Sequence, residues 1–157
     1  MNSINDAITI TFPDGKTKEF EKGITGYKIA ESIAKSLAKI AIAISVDNVQ
    51  KDLSDSINSD SSISIITLEN DEGLEIMRHT LTAQVLAKAI KNLYPLAKLA
   101  IGPTIDNGFY YDVFFEKQIS SEDLPKIERE MNKIIKNGSA INKTIHSKED
   151  AIKLFNE

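Results

Sequence analysis

The sequence predicts an α+β fold in two parts, residues 1–68 rich in short strands and residues 72–157 rich in longer helices. Three observations carry this. Up to Leu68 the chain is rich in Ile, Ser and Asp and its apolar runs are short. Beyond Asp71 apolar residues recur at helical spacing. Between the two, Leu68-Glu-Asn-Asp-Glu-Gly73 is polar and reads as a linker.

The first part opens with Ala7-Ile-Thr-Ile-Thr-Phe12, whose alternation suits a half-buried strand. Pro13-Asp14-Gly15 is a turn, and Lys16-Thr-Lys-Glu-Phe20 returns as a second strand. Thr25 is placed to cap a helix with the apolar stripe Ile29, Ile33, Leu37. Ile40–Val46 is a further strand, Asp47-Asn48 a turn pair, Val49–Lys51 a short return and Ser62–Ile66 the last strand. The Ser/Asp-rich stretch 52–62 reads as a solvated loop. A hairpin crossed by one helix and closed by further strands is the β-grasp arrangement.

The second part opens with a helix over Glu72–Leu93, with Ile76, Ala83, Leu86, Ile90 and Leu93 on its stripe. Pro95 stops it by disfavouring the α region at Tyr94. Leu99–Ile101 is a strand candidate, Gly102–Gly108 a turn-rich loop, and Phe109–Phe115 a strand of strong β-formers. Ser121 with Asp123 starts a helix whose apolar face is Ile127, Met131, Ile134 and Ile135, and Asn137-Gly138 ends it. Ile141–His146 is another strand candidate, and Ser147 with Asp150 caps a last helix carrying Ile152 and Phe155.

Composition narrows function. Of 157 residues, 41% are hydrophobic and 27% charged, which suits a folded chain rather than a disordered one. There is no cysteine, so disulfides, zinc knuckles and thiol nucleophiles are excluded within the chain, and two histidines are too few for a histidine-rich metal site. A net charge of −4 argues against strong non-specific nucleic-acid binding. No apolar run reaches the roughly 18 residues of a membrane span, so no membrane is expected. The start MNSINDAITITF lacks the features of a signal peptide, so the expected address is cytoplasmic. Lys126, Arg129, Lys133 and Lys136 alternate with Glu128 and Glu130 on one helix and read as a solvated face; His146 reads as a surface histidine.

Three segments carry a resemblance. Ile8-Thr-Ile-Thr-Phe-Pro-Asp-Gly15 is similar to the opening hairpin of TGS domains, a ubiquitin-like β-grasp module. Asp71-Glu-Gly-Leu-Glu-Ile-Met-Arg-His79 and Ala100-Ile-Gly-Pro-Thr-Ile-Asp-Asn-Gly-Phe-Tyr-Tyr-Asp112 come next, in the order found in bacterial threonyl-tRNA synthetases. The chain resembles the N-terminal region of that family over essentially its whole length. The resemblance implies a TGS domain at 1–68 and the N-terminal part of an α+β tRNA-editing-like domain at 72–157. In the family, threonine is ligated to tRNA(Thr) with ATP, and mischarged Ser-tRNA(Thr) is hydrolysed. The aminoacylation core, with its ATP, Mg and Zn, lies outside these 157 residues, so no cofactor and no metal is expected here. The second editing segment, with a cysteine and a histidine at i, i+4, is absent as well. The chain alone is therefore expected to be inactive: either a piece of a longer enzyme or a stand-alone remnant. The implied partners are tRNA(Thr), through the parent enzyme, and a second subunit joined through the absent core. Two alternatives are a stand-alone TGS-containing regulatory module and a deacylase acting in trans.

The resemblance also names candidate editing-pocket residues. The family's first motif is His-x-x-x-His, which puts both imidazoles on one helical face. Here His79-Thr-Leu-Thr-Ala-Gln84 carries one extra residue, and Gln84 stands for the second histidine. Glutamine can hydrogen-bond a substrate but cannot titrate. On a regular α-helix a separation of five turns the pair about 140° apart. A π-bulge between His79 and about Lys88 would absorb the residue and return both to one face. A helix starting later, near Thr80 or Thr82, would leave His79 in the approach and put Thr80 and Gln84 in the motif's two positions, and an unbroken α-helix would leave His79 an ordinary helix residue. Gly102 and Tyr111 are candidate substrate-binding residues by match to the family's pocket wall; core packing and turn geometry are their structural alternative.

Overall fold

A computed structural model describes residues 7–155. Residues 1–6, half of the start read above for a leader, lie outside the described residues.

Strands β1 (Ala7–Thr11) and β2 (Thr17–Glu21) form the expected hairpin, with Ile8 opposite Phe20 and Ile10 opposite Lys18. The turn works because Gly15 takes φ +79° and donates its N–H to the carbonyl of Phe12 at 2.9 Å. Strands β4 (Ala41–Val46), β5 (Val49–Lys51) and β7 (Ser61–Thr67) complete a five-stranded mixed sheet in the order β2-β1-β7-β4-β5. Asp47 and Asn48 both take positive φ, as a two-residue hairpin turn between right-twisted strands requires. Two short strands not foreseen, β3 (Ile24–Thr25) and β6 (Ser56–Ile57), pair with each other and bring Ile57 into the core. Helix α1 (Gly26–Ile33) lies against this sheet: Ile29 is fully buried with Ile8, Ile10, Ile44, Val46, Ile57 and Ile63. Thr25 caps the helix, its side chain accepting from the Lys28 amide. The result is a β-grasp fold.

One correction falls here. The stripe Ile29, Ile33, Leu37 does not lie on one helix: the chain is extended at Ala34 and restarts as α2 (Lys35–Ile40). The Ala34 amide closes α1 onto Ala30, and the Ala34 carbonyl accepts from Ala38. Ala30 and Ala38 are buried while Ile33 is 49% exposed, so the break turns a branched side chain outward and keeps two small ones inside.

The polar stretch 68–73 is a tight joint, not a loose linker. The Asn70 side chain accepts from the Thr67 amide at 2.9 Å, and the Asn70 amide donates to the Thr67 carbonyl at 3.1 Å. Helix α3 (Asp71–Thr80) starts at once, with Gly73 buried against the end of β7.

Beyond it, the helix expected over 72–93 is continuous but not uniform. Residues Leu81–Leu86 form a π-helix, and α4 (Ala87–Leu93) resumes the α-helical winding. An irregular hairpin comes next. β8 (Lys98–Leu99) pairs with β11 (Val113–Phe114), and β9 (Thr104–Ile105) with β10 (Gly108–Phe109). The single strand expected over Phe109–Phe115 is therefore two short pieces. Tyr110–Asp112 bonds instead to residues 100–103, where Pro103 supplies no N–H to a ladder. Helix α5 (Leu124–Asn137) packs on α4 and the π-helix, with Ile127 buried and Asn92 donating to Glu130 at 2.8 Å. Gly138, at φ +59°, ends it in the left-handed region. The strand expected over Ile141–His146 does not form; the segment is exposed throughout and has no strand partner among the described residues. Helix α6 (Lys148–Phe155) is capped by Ser147, whose hydroxyl donates to Asp150 at 2.7 Å and accepts from its amide. No strand pairing among the described residues joins the first 67 residues to the rest.

One ion pair does reach between them. Lys143 donates to both carboxylate oxygens of Asp55, at 2.7 and 2.9 Å. This bond holds the Asp55 carboxyl below its ordinary 3.8, and the same bond raises the Lys143 ammonium above its ordinary 10.5. A depressed carboxyl contributes stability above its unfolded value and loses it as pH falls through its folded value. A raised ammonium contributes below its unfolded value and loses it as pH rises through its folded value. The clasp is thus complete between these limits. We expect the Asp55 carboxylate 13C shift to titrate below 3.8, and to return to the ordinary midpoint in Lys143→Met. An unchanged midpoint in that variant would show that the pair does not form in solution.

Candidate functional site

The π-helix is the feature on which the site turns. The Ala87 amide donates to the Thr82 carbonyl, five residues back, while the Leu81 amide still reaches Arg78 and Met77. One residue is thus looped into a wide turn without rotating the helix downstream of it. Ala87, Ala89 and Ile90 are buried, whereas Ala83, expected on the apolar stripe, is exposed and Leu86 is half-buried, because the wide turn displaces them from the stripe. Thr82 is the buried member of the wide turn, 2% exposed, and its hydroxyl donates to the Arg78 carbonyl at 2.8 Å. No signal in the sequence marked Thr82 as a packing residue.

Thr82 joins the π-helix to the hairpin. A Cβ on Gly102 would lie 3.0 Å from Thr82 Cγ2, 2.7 Å from Tyr111 Cδ2 and 2.5 Å from the Tyr110 carbonyl oxygen. Gly102 and Tyr111 are therefore in contact, held there by the Asp112 amide on the Ile101 carbonyl and the Tyr110 amide on the Pro103 carbonyl. Both residues are half-buried, which leaves each an open side.

Gln84 stands on the other flank of the π-helix. It lines a cleft of about 260 Å³ with Val85, Lys88, Ile134, Ile135 and Ile141. His79 is exposed and does not line that cleft, and neither do Gly102 and Tyr111. The structure thus brings together Gly102 and Tyr111, places Gln84 apart from them, and leaves His79 on the surface of α3. The chemistry on offer is hydrogen bonding by the Gln84 amide and charge from Lys88, with a tyrosine wall elsewhere. Among the described residues no group of three or more His, Asp or Glu side chains could hold a metal ion.

Two other clefts flank the site. The larger, about 600 Å³, lies between α3 and the β9–β10 turn; Asp71, Glu72, Glu75 and Asp106 outnumber Arg78 there, so it repels phosphate. The other, about 370 Å³, lies beside Tyr94, which packs edge-on against Phe115 and donates to Asp123 at 3.3 Å. Burial, with the negative Asp123 beside it, raises the Tyr94 hydroxyl; the Ser120 amide holds the Asp123 carboxyl low.

The fold and its match now define a class. Residues 8–67 match the TGS domain family, so the five-stranded unit is a TGS domain. Nearly the whole chain is similar to the N-terminal region of threonine–tRNA ligases. It is 49% identical to that of Francisella philomiragia over 94% of the chain, and 49% identical to that of a Geobacillus species over 98%. Identity to the ligase of Francisella tularensis subsp. novicida is 44% over 94%. The chain spans about a quarter of the length of these curated relatives, between 23% and 24%. None of the described helices is long and apolar enough to cross a membrane.

Proposed function

We propose that these residues are the N-terminal, tRNA-associated region of a cytoplasmic threonine–tRNA ligase. The observation that carries this is similarity running through both parts of the chain in one order, over 94–98% of its length, to that region of the ligases. Residues 1–68 act as the TGS unit and 72–157 as the opening part of an editing-type unit. Within the second unit, the contact of Gly102 with Tyr111 forms one wall, and Gln84 offers a neutral hydrogen-bonding group on the other side of the π-helix. Gln84 can donate and accept hydrogen bonds but cannot transfer a proton, so it would hold and orient a ligand; His79, exposed on α3, does not line its cleft. Ligation of threonine, with its ATP, Mg and Zn, belongs to the remainder of such an enzyme, as does a dimer interface. The partner reached by residues 72–157 is tRNA(Thr).

Two measurements test the reading. Exchanging the matching first quarter of the Geobacillus relative for this chain is expected to preserve threonylation of tRNA(Thr). Loss of threonylation by a chimera that expresses and folds would refute it. The 157-residue chain by itself is expected to show neither threonine-dependent pyrophosphate exchange nor hydrolysis of Ser-tRNA(Thr). Hydrolysis abolished by His79→Ala would instead establish a deacylase acting in trans.

A further inference from the structure

We propose that the open face of the TGS sheet carries a binding site for a small neutral ligand bearing a vicinal diol, such as a monosaccharide or the ribose of a free nucleoside. The site is a cleft of about 390 Å³ bounded by Ser45, Asn48, Gln50, Ser64, Asn70 and Glu72. That volume lies in the range of about 300–1,000 Å³ found for small-molecule sites.

The strand register builds it. Ser45 pairs with Gln50 on one side and Ser64 on the other, so three polar side chains form a row across β5, β4 and β7. Side chains alternate along a strand, and the neighbours Ile44, Val46 and Ile63 point into the core, so this row faces away from it. Asn48 sits at the turn end of the row. The joint to α3 closes the other side with Asn70 and Glu72.

The hydrogen-bonding pattern selects the ligand. The Asn70 side-chain oxygen is engaged by the Thr67 amide at 2.9 Å and the Thr67 hydroxyl at 3.4 Å. That contact fixes the orientation of the Asn70 amide and leaves its NH₂ as a donor at the cleft. Glu72 supplies a carboxylate that accepts only. The hydroxyls of Ser45 and Ser64 and the amides of Gln50 and Asn48 both donate and accept. A ligand hydroxyl does both as well, and two adjacent ones can bridge a carboxylate and an amide. No lysine or arginine lines the cleft, and Glu72 opposes anions, so phosphate is disfavoured. Internal riboses of RNA lack a free 3′-hydroxyl and so present no diol. This inference is independent of the ligase reading; either can fail without the other.

The side-chain NH₂ groups of Asn48, Gln50 and Asn70 are to be followed in 1H–15N spectra of the full chain. Titration with D-ribose or with adenosine is expected to shift the Gln50 and Asn70 signals, and 2′-deoxyadenosine is expected to shift them at least tenfold less. Response to both sugars points to the diol alone; response to adenosine only adds a base contact, with the diol still required. Ser45→Ala/Ser64→Ala, at part-exposed positions, is expected to weaken the response at least tenfold while the rest of the spectrum holds. Should that pair unfold the sheet, Gln50→Ala, at an exposed position of β5, serves the same purpose. No shift with either sugar, equal shifts with 2′-deoxyadenosine, or shifts driven by inorganic phosphate would overturn the proposal.

Discussion

Gly73→Ala is expected to lower stability by roughly 3 kcal/mol, the upper part of the range for overpacking at a site that cannot relax. A Cβ at Gly73 would sit 1.9 Å from the Thr67 carbonyl oxygen and 2.7 Å from its carbon, with Ile42 Cδ1 at 3.1 Å. The first two are backbone atoms, so no rotamer change relieves them. Either α3 lifts off the end of β7 or β7 shifts, and both disturb the bonds between Asn70 and Thr67. The sign is diagnostic. In an ordinary helix alanine is favoured over glycine by about 1 kcal/mol, and Gly73 lies in the first turn of α3. Gly108→Ala is the control, because a Cβ there would meet nothing within 4 Å. Its unfolding free energy from urea titration is expected to stay within about 0.5 kcal/mol of the parent's. If Gly73→Ala unfolds at the parent's midpoint, the joint is looser than described.

That joint also shows what could and could not be read in the amino-acid sequence. Signals confined to a few neighbouring residues were legible. Pro13-Asp14-Gly15 makes its turn, Thr25 and Ser147 cap, and Gly138 stops α5 in the left-handed region. Alternating strands around a helical segment, which the structure divides at Ala34, led to the β-grasp order because local pattern and overall fold agree there. Features set by distant partners were not legible. The stretch 68–73 is polar, and only the approach of β7 reveals why Gly73 has no side chain. Phe109–Phe115 is rich in β-formers, yet its ladder is interrupted where it meets Gly102 and Pro103. Ile141–His146 has strand propensity and no edge to pair with among the described residues, and propensity without a partner does not make a strand. The candidate site divides in the same way. Contact of Gly102 with Tyr111 is set by the hairpin between them. The cleft at Gln84 depends on how α5 and residues 138–142 pack against the π-helix, which no local pattern encodes.

Deleting Thr80 is expected to convert the π-helix into regular α-helix and to leave the thermal midpoint at or above that of the parent. The family resemblance implies one residue more between His79 and about Lys88 than the family's motif holds. The wide turn over Leu81–Leu86 takes it up locally. Had the helix stayed regular, everything downstream would have turned by about 100°. Ala87, Ala89 and Ile90 would then have left the core, at a cost of about 1.5–3 kcal/mol for Ile90 alone. Removing the extra residue therefore takes away the need for the bulge and leaves those three side chains in place. α5 supplies the contrast, being α-helical without interruption from Leu124 to Asn137. Deleting Glu128 there has no bulge to absorb it. It should rotate Met131 and Ile134 away from Ile127 and break the bond from Asn92 to Glu130, lowering stability by about 2 kcal/mol or more. Hydrogen exchange locates the change: after deletion of Thr80, amides across 81–87 should gain protection as five-residue closures become four-residue ones. If the two deletions destabilise equally, the extra residue is built into the packing around Thr82 and Gly102. The π-helix would then be a required part of the pocket wall rather than an accommodated insertion.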